Sequence, residues 1–163
     1  MRVTCEKPVA MAVRIRSPWW LAGSPRLAVN GAEVPAVTSP DGFIAIRGAF
    51  SGDPLTVRLP KGLTCHPLPD APDTVAFLDG PVVLAGLCDG ERTLYGDIKD
   101  PASMLDPSNE RQWQQWLPDW KTRGQPAGIR FKPLYRIGHE KYTVYFPVAK
   151  TGIPPECRAA AEG

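Results

Sequence analysis

Hydrolysis of a glycoside needs two placed carboxyl groups, and hydrolysis by a nucleophile needs a hydroxyl or thiol beside a base. The sequence holds 17 acidic residues, but many of them stand directly before Gly or Pro. Asp41-Gly42, Asp53-Pro54, Asp79-Gly80, Asp89-Gly90 and Asp106-Pro107 are all of this kind. Side-chain-to-backbone hydrogen bonding at turns accounts for such residues without any catalytic role. His66 and His139 are the 2 histidines. His139 and Glu140 set an imidazole beside a carboxylate, the pairing of a general base, but no nucleophile or ligand set accompanies them. They fall where a solvated turn is expected. His66 lies between Cys65 and Pro67, and one His with one Cys is not a zinc site. Cys5, Cys65, Cys88 and Cys157 are isolated, with no C-x-x-C spacing, and read as free thiols, some of them buried. Nucleophile-elbow, phosphate-loop and dinucleotide-binding glycine patterns are absent. No residue is assigned as catalytic and none as a metal ligand.

The tryptophans offer more. Trp19 and Trp20 follow Pro18, and Trp113, Trp116 and Trp120 recur at i, i+3, i+7 spacing. The indole face matches the apolar face of a sugar ring, so exposed Trp arrays can hold carbohydrate. Burial is the competing reading, because large aromatics are mostly buried on average. A protein interface, where Trp is enriched, is a third. Trp113, Trp116, Trp120, Trp19 and Trp20 are therefore the candidate carbohydrate-binding residues.

These side chains must be held by a scaffold rich in turns. The 163 residues suffice for one ordinary domain with a hydrophobic core. Gly (15) and Pro (19) punctuate many short apolar runs, which favours an all-β protein. Residues 9–16 alternate, with Met11, Val13 and Ile15 on one face and Arg14 and Arg16 on the other, as in a half-buried strand. Asn30-Gly31 between 27–29 and 33–34 predicts a tight hairpin with a type I′ turn. Further strands are expected over 43–47, 55–59, 63–68 and 74–78. The continuously apolar run 81–87 is expected to be a central strand, although periodicity alone leaves a buried helix open. From 89 to 127 alternation is lost. Ser108 or Asp106 offers an N-cap for a short helix over 109–117, with Trp113, Trp116 and Trp120 on one face and Pro118 as its stop. Residues 129–146 read as two aromatic strands folded around a short Gly-containing turn. The tail 149–163 is expected to fray. Together these predict an antiparallel β-sandwich of about nine or ten short strands, spanning 1–148, with an irregular, partly helical excursion near 89–127.

The net charge is +2, from 19 basic and 17 acidic residues, without a Lys/Arg block. This argues against nucleic acid as a partner. No apolar stretch is long enough for a membrane span. The first eight residues lack the apolar segment of a signal peptide, so the chain as written is expected in the cytoplasm, unless a signal was lost upstream.

Several segments resemble glycoside hydrolase family 127, whose founding activity is β-L-arabinofuranosidase. RIRSPWW at 14–20 is similar to that family's R-I-P-x-W signature. VNG at 29–31 and GFIAIR at 42–47 resemble its V-N-G turn and G-Y-x-x-I-x-R strand. GD at 52–53 leading to LP at 59–60 resembles its G-D-x-V-x-L-x-L-P. FLDGPVVLA at 77–85 resembles its G-P-L-V-L-A run, and 131–146 its terminal P-F-Y-x-x-H-x-x-Y-x-V-Y-W/F. Five such segments stand in the family's order across 9–148. Ser17 and the doubled Trp19-Trp20 depart from the pattern, and 97–120 matches it only loosely.

The resemblance is to the family's C-terminal β-sandwich region. It implies a catalytic (α/α)6 barrel, in which cysteines and a glutamate hold zinc and one cysteine acts as nucleophile. The four cysteines here match none of those positions, so no catalytic residue carries over and no cofactor is expected in this chain. The chain then reads as a truncated product, half of a split gene, or a fragment lacking upstream strands. Its expected partner is the barrel, in cis or as a separate chain, with a homodimer and carbohydrate as further expectations. A carbohydrate-binding module with a Trp platform is the second reading. An autonomous glycosidase is the third.

Overall fold

The computed structural model describes residues 6–150. It is nearly all β, with fifteen strands, two short 3-10 turns and no α-helix among the described residues. The strands pair antiparallel except for one parallel pair. The chain divides into two compact units, Met1–Gly62 and Leu63–Gly163.

The first unit contains two small sheets. β1 (Val9–Arg16) pairs along its whole length with β4 (Phe43–Phe50). β2 (Arg26–Val29) lies between β3 (Ala32–Val34) and β5 (Leu55–Arg58). Leu27, Ile44, Ile46, Phe50 and Leu55 form one buried cluster, so both sheets face a common core, as in a sandwich. The alternation of β1 is realised: Met11, Val13 and Ile15 pack against that core, while Arg14 and Arg16 are exposed. Asn30 (φ 52°) and Gly31 (φ 82°) form the expected two-residue turn between β2 and β3. Asn30 Nδ2 also donates to Asp53 Oδ1 at 2.7 Å, which ties this turn to the next one.

The second unit is built on one large sheet. Its strands are β6 (Leu63–Pro67), β7 (Thr74–Asp79), β8 (Val82–Gly86), β9 (Leu94–Tyr95), β10 (Leu105–Pro107), β13 (Trp120–Thr122), β14 (Arg130–Pro133) and β15 (Tyr145–Ala149). The order is β10-β13-β14-β8-β7-β15-β9, with β6 also on β7. Leu105, near one end of this path, and Leu94, at the other, belong to the same buried cluster, so the sheet curls round a single core. At its centre the rings of Phe77, Phe131 and Phe146 meet with centroids 5.0–6.2 Å apart. The apolar run 81–87 forms β8, whose Leu84, Ala85 and Gly86 are buried. A Cβ on Gly86 would lie 2.4 Å from Phe146 Cζ, so only glycine lets the two rings close here.

Two expected elements take another form. The segment 129–146 is not a hairpin. β14 and β15 are separated in the sheet by β8 and β7. Pro133 ends β14, a 3-10 turn follows at Leu134–Arg136, and Thr143 then crosses to exchange backbone hydrogen bonds with Gly86. The connection is too long to act as a tight turn, and each strand buries its Phe from a different position. The second change is the helix expected over 109–117, where the chain forms β11 (Arg111–Gln112) and β12 (Gln115–Trp116) instead. Trp113 and Gln114 have positive φ and cannot continue a right-handed helix, and Pro118 holds Leu117 toward extended backbone. Nearly all of the tail 149–163 lies outside the described residues, as do Cys5 and Cys157.

Candidate functional site

The irregular stretch of the sequence resolves into one long hairpin. β10 and β13 pair Leu105 with Thr122 and Pro107 with Trp120. The Ser108 N–H then donates to the Asp119 carbonyl, and the Leu117 N–H to the Glu110 carbonyl, each at 2.9 Å. Arg111 stands opposite Trp116, and Gln112 opposite Gln115. The register is unbroken from 105–122 to a two-residue tip, Trp113-Gln114. Their φ values, 49° and 64°, are those of a type I′ turn. Asn30-Gly31 makes the same turn with the residues that favour it. Trp and Gln do not favour it, and a bulky residue held at positive φ costs about 1–3 kcal/mol.

The tip carries rings and amides. Trp113 is 92% exposed and Trp116 60%. The Arg111 guanidinium stacks on one face of Trp116, 4.3 Å from the ring centroid. Gln112, Gln114 and Gln115 are all exposed. Trp120 is placed differently: it lies on β13 and packs against the buried core of the second unit. The structure thus places Trp113 and Trp116 on one projecting element and gives Trp120 a packing role.

The foot of the hairpin is polar and buried. The Asp119 side chain is 1% exposed and accepts a hydrogen bond from Arg136 at 2.8 Å. Asp119 Oδ2 and Ser108 Oγ are buried without a protein partner. Glu110 pairs with Arg130 at 2.8 Å. These pairs join the hairpin to β14 and to the turn that follows it. Arg111 and the Asp119–Arg136 pair escaped sequence reasoning. The Gln-Trp interleaving was the available signal for the first, whereas Asp119, next to Pro118, looks like any turn residue.

The remaining candidates lie elsewhere. Trp19 is 69% exposed and Trp20 half-buried, just after β1 in the first unit. Glu140 accepts from Lys132 Nζ at 2.6 Å and from the Gly138 N–H at 2.7 Å. These bonds, the one from Lys132 foremost, hold its carboxyl down at about 2. Hydrogen bonds from Ser39 and Asn30 likewise lower Asp41 and Asp53, which serve their turns. Burial pushes the Cys65 thiol up to about 12 and raises Cys88, and neither is activated as a nucleophile. Among the described residues, no three of His, Cys, Asp and Glu stand together as they would to hold a metal ion.

The same fold occurs in glycoside hydrolase family 127 structures. The chain superposes on a family 127 β-L-arabinofuranosidase from Geobacillus stearothermophilus T6 with a TM-score of 0.67 and 18% identity, covering 91% of this chain and 28% of that one. A second family 127 β-arabinofuranosidase gives a TM-score of 0.62 and 17% identity over 87% and 28% of the two chains. A further glycoside hydrolase gives 0.57 and 19% over 86% and 28%. The chain therefore spans 28% of the length of each of these structures. No protein-family model and no curated protein matches the sequence.

Proposed function

We propose that this chain is the C-terminal β-sandwich region of a family 127-like glycosidase. It is non-catalytic by itself and supports or positions an (α/α)6 catalytic barrel carried in cis or on a separate chain. The observation that carries this reading is the pairing of near-complete coverage of this chain with 28% coverage of the glycosidases it resembles. The five family-like segments, in the family's order over 9–148, support it independently of the superposition. The chemistry agrees: Asp41 and Asp53 are engaged by turns, Glu110, Asp119 and Glu140 by ion pairs, and both described cysteines have raised pKa.

The test has two arms. Purified chain is incubated with an aryl β-L-arabinofuranoside, alone and together with a separately expressed family 127 barrel encoded beside it in the genome. No aryl release by the chain alone, and release or thermal stabilisation of the barrel on mixing, is the expected result. Turnover by the chain alone would overturn the non-catalytic role. Absence of any barrel reading frame next to the gene, together with no effect on a related barrel, would overturn the accessory role.

A further inference from the structure

On the outer face of the three-stranded sheet of the first unit, we infer a binding site for a small hydroxylated monocarboxylate, a sugar acid by class, held by Arg26 and Arg58. The register sets Arg26 of β2 directly opposite Arg58 of β5. Leu27 and Leu55 are buried in the core, so alternation sends Arg26, Ala28, Thr56 and Arg58 to the outer face. Like charges directly opposite each other destabilise a strand pair. Arg14, Arg123, Arg130 and Arg136 each have a carboxylate partner, but among the described residues neither Arg26 nor Arg58 has one. Two adjacent guanidinium groups without a counter-charge complement an oxyanion, and their planar forks suit a carboxylate.

The surroundings narrow the ligand. Both arginines line a hollow of about 300 Å³ together with Ala28, Glu33 and Thr56. Glu33, Ala28 and Thr56 form the neighbouring outward row across β3, β2 and β5. Ala28 is small and leaves the floor low between the other two. Two residues of strand separate this row from the arginines, about 7 Å, so one sugar-sized ring spans the two rows. The Glu33 carboxylate, which has no cation partner among the described residues, accepts hydrogen bonds, and the Thr56 hydroxyl donates or accepts them. Ligand hydroxyls satisfy both, whereas a second negative charge meets Glu33. Two guanidinium groups and one fixed carboxylate leave a single net positive charge, which matches a monocarboxylate better than a phosphate dianion. A neutral sugar would leave the opposed arginines uncompensated, and an acidic peptide would bring further carboxylates against Glu33.

This site stands apart from the accessory role, and its test needs no barrel. D-galacturonate is titrated into the whole chain at slightly alkaline pH, with binding followed by calorimetry and by the amide resonances of 26–28 and 56–58. Saturable binding in the millimolar range is expected, with none by D-galactose. Arg58→Lys keeps the charge but loses the planar fork, and should weaken binding at least about tenfold, as should Arg26→Gln. Arg58→Gln should also raise the urea midpoint of the ligand-free chain, because it removes a like-charge contact. Glu33→Gln should admit inorganic phosphate, which the parent chain excludes. Galacturonate binding that survives Arg58→Lys would overturn the inference, since it would reflect charge attraction alone. So would tighter binding of phosphate than of galacturonate by the parent chain. Saturation by an acidic hexapeptide but not by galacturonate would overturn it too, and would mark a protein-docking face instead.

Discussion

Two hairpin turns of the same type carry opposite residue choices. Asn30-Gly31 suits a type I′ turn and Trp113-Gln114 does not. Replacing the second pair with the first should therefore relieve backbone strain. Trp113→Asn with Gln114→Gly is expected to raise stability by about 1–2 kcal/mol, read as a higher urea midpoint at unchanged slope. An unchanged or lower midpoint would mean that the Trp113 ring itself stabilises the fold. Glu140 gives a pH-dependent prediction. Its folded pKa, about 2, lies below the ordinary value of 4.5, so its contribution is complete above about 4.5 and fades as pH falls through 2. Glu140→Gln should lower the urea midpoint at neutral pH, and the difference from the parent chain should close between pH 4.5 and 2. A difference that stays constant with pH would show that the Lys132 and Gly138 contacts do not stabilise the charged form. At this scale turn chemistry was well legible: Asn30-Gly31, Asp41 and Asp53 do what local hydrogen bonding dictates. The exposure of Trp113 and Trp116 was not, because a ring's surroundings depend on which segments pair around it.

Among the elements, those with period-2 alternation or a continuous apolar run could be read directly. β1, β7 and β8 stand where the pattern puts them, because one or both faces must be buried. Two elements could not be read. The i, i+3, i+7 spacing of the three tryptophans fits a helix face, but it equally fits a hairpin whose tip holds one Trp, whose arm holds another and whose foot holds the third. Strand pairing between distant segments likewise decided the place of β14 and β15, which local signals read as neighbours. The hairpin also depends on its buried foot. Removing the Arg136 guanidinium would leave the Asp119 carboxylate buried and unpaired. Arg136→Ala should destabilise by about 2–3 kcal/mol, less than for a fully buried pair because Arg136 keeps some solvent contact. Asp119→Asn, which removes the charge and keeps a hydrogen-bonding group, should cost only about 1 kcal/mol. Equal costs for the two changes in urea denaturation would sink the idea that the unpaired charge is what matters.

At the scale of the whole molecule, the two units differ in how much they bury. Among the described residues, the buried cluster of the first unit has five members and that of the second has ten. β1 and β4 form a two-stranded sheet, and the core-facing Met11, Val13 and Ile15 of β1 are only half-buried. Such a ribbon is marginal unless more apolar surface covers it. By contrast, β7 is buried from Val75 through Asp79 and carries Phe77 at the centre of the aromatic cluster. Opening free energies scale with what each segment buries, so native-state hydrogen exchange should separate the two. Amides of β1 and β4 are expected to exchange through openings that need less free energy, and that respond less to urea, than those of β7. The β7 amides should exchange only with global unfolding. A single isotherm shared by both sets would show that the units unfold as one cooperative body. For the accessory role proposed above, a separate low-energy opening has a further consequence. Surface lent by a catalytic partner that covers β1 should slow exchange there and leave β7 unchanged. Repeating the measurement with a family 127 barrel present tests this: protection at β1 would place the docking face of the proposed partner on the first unit, and protection confined to the second unit would place it there instead.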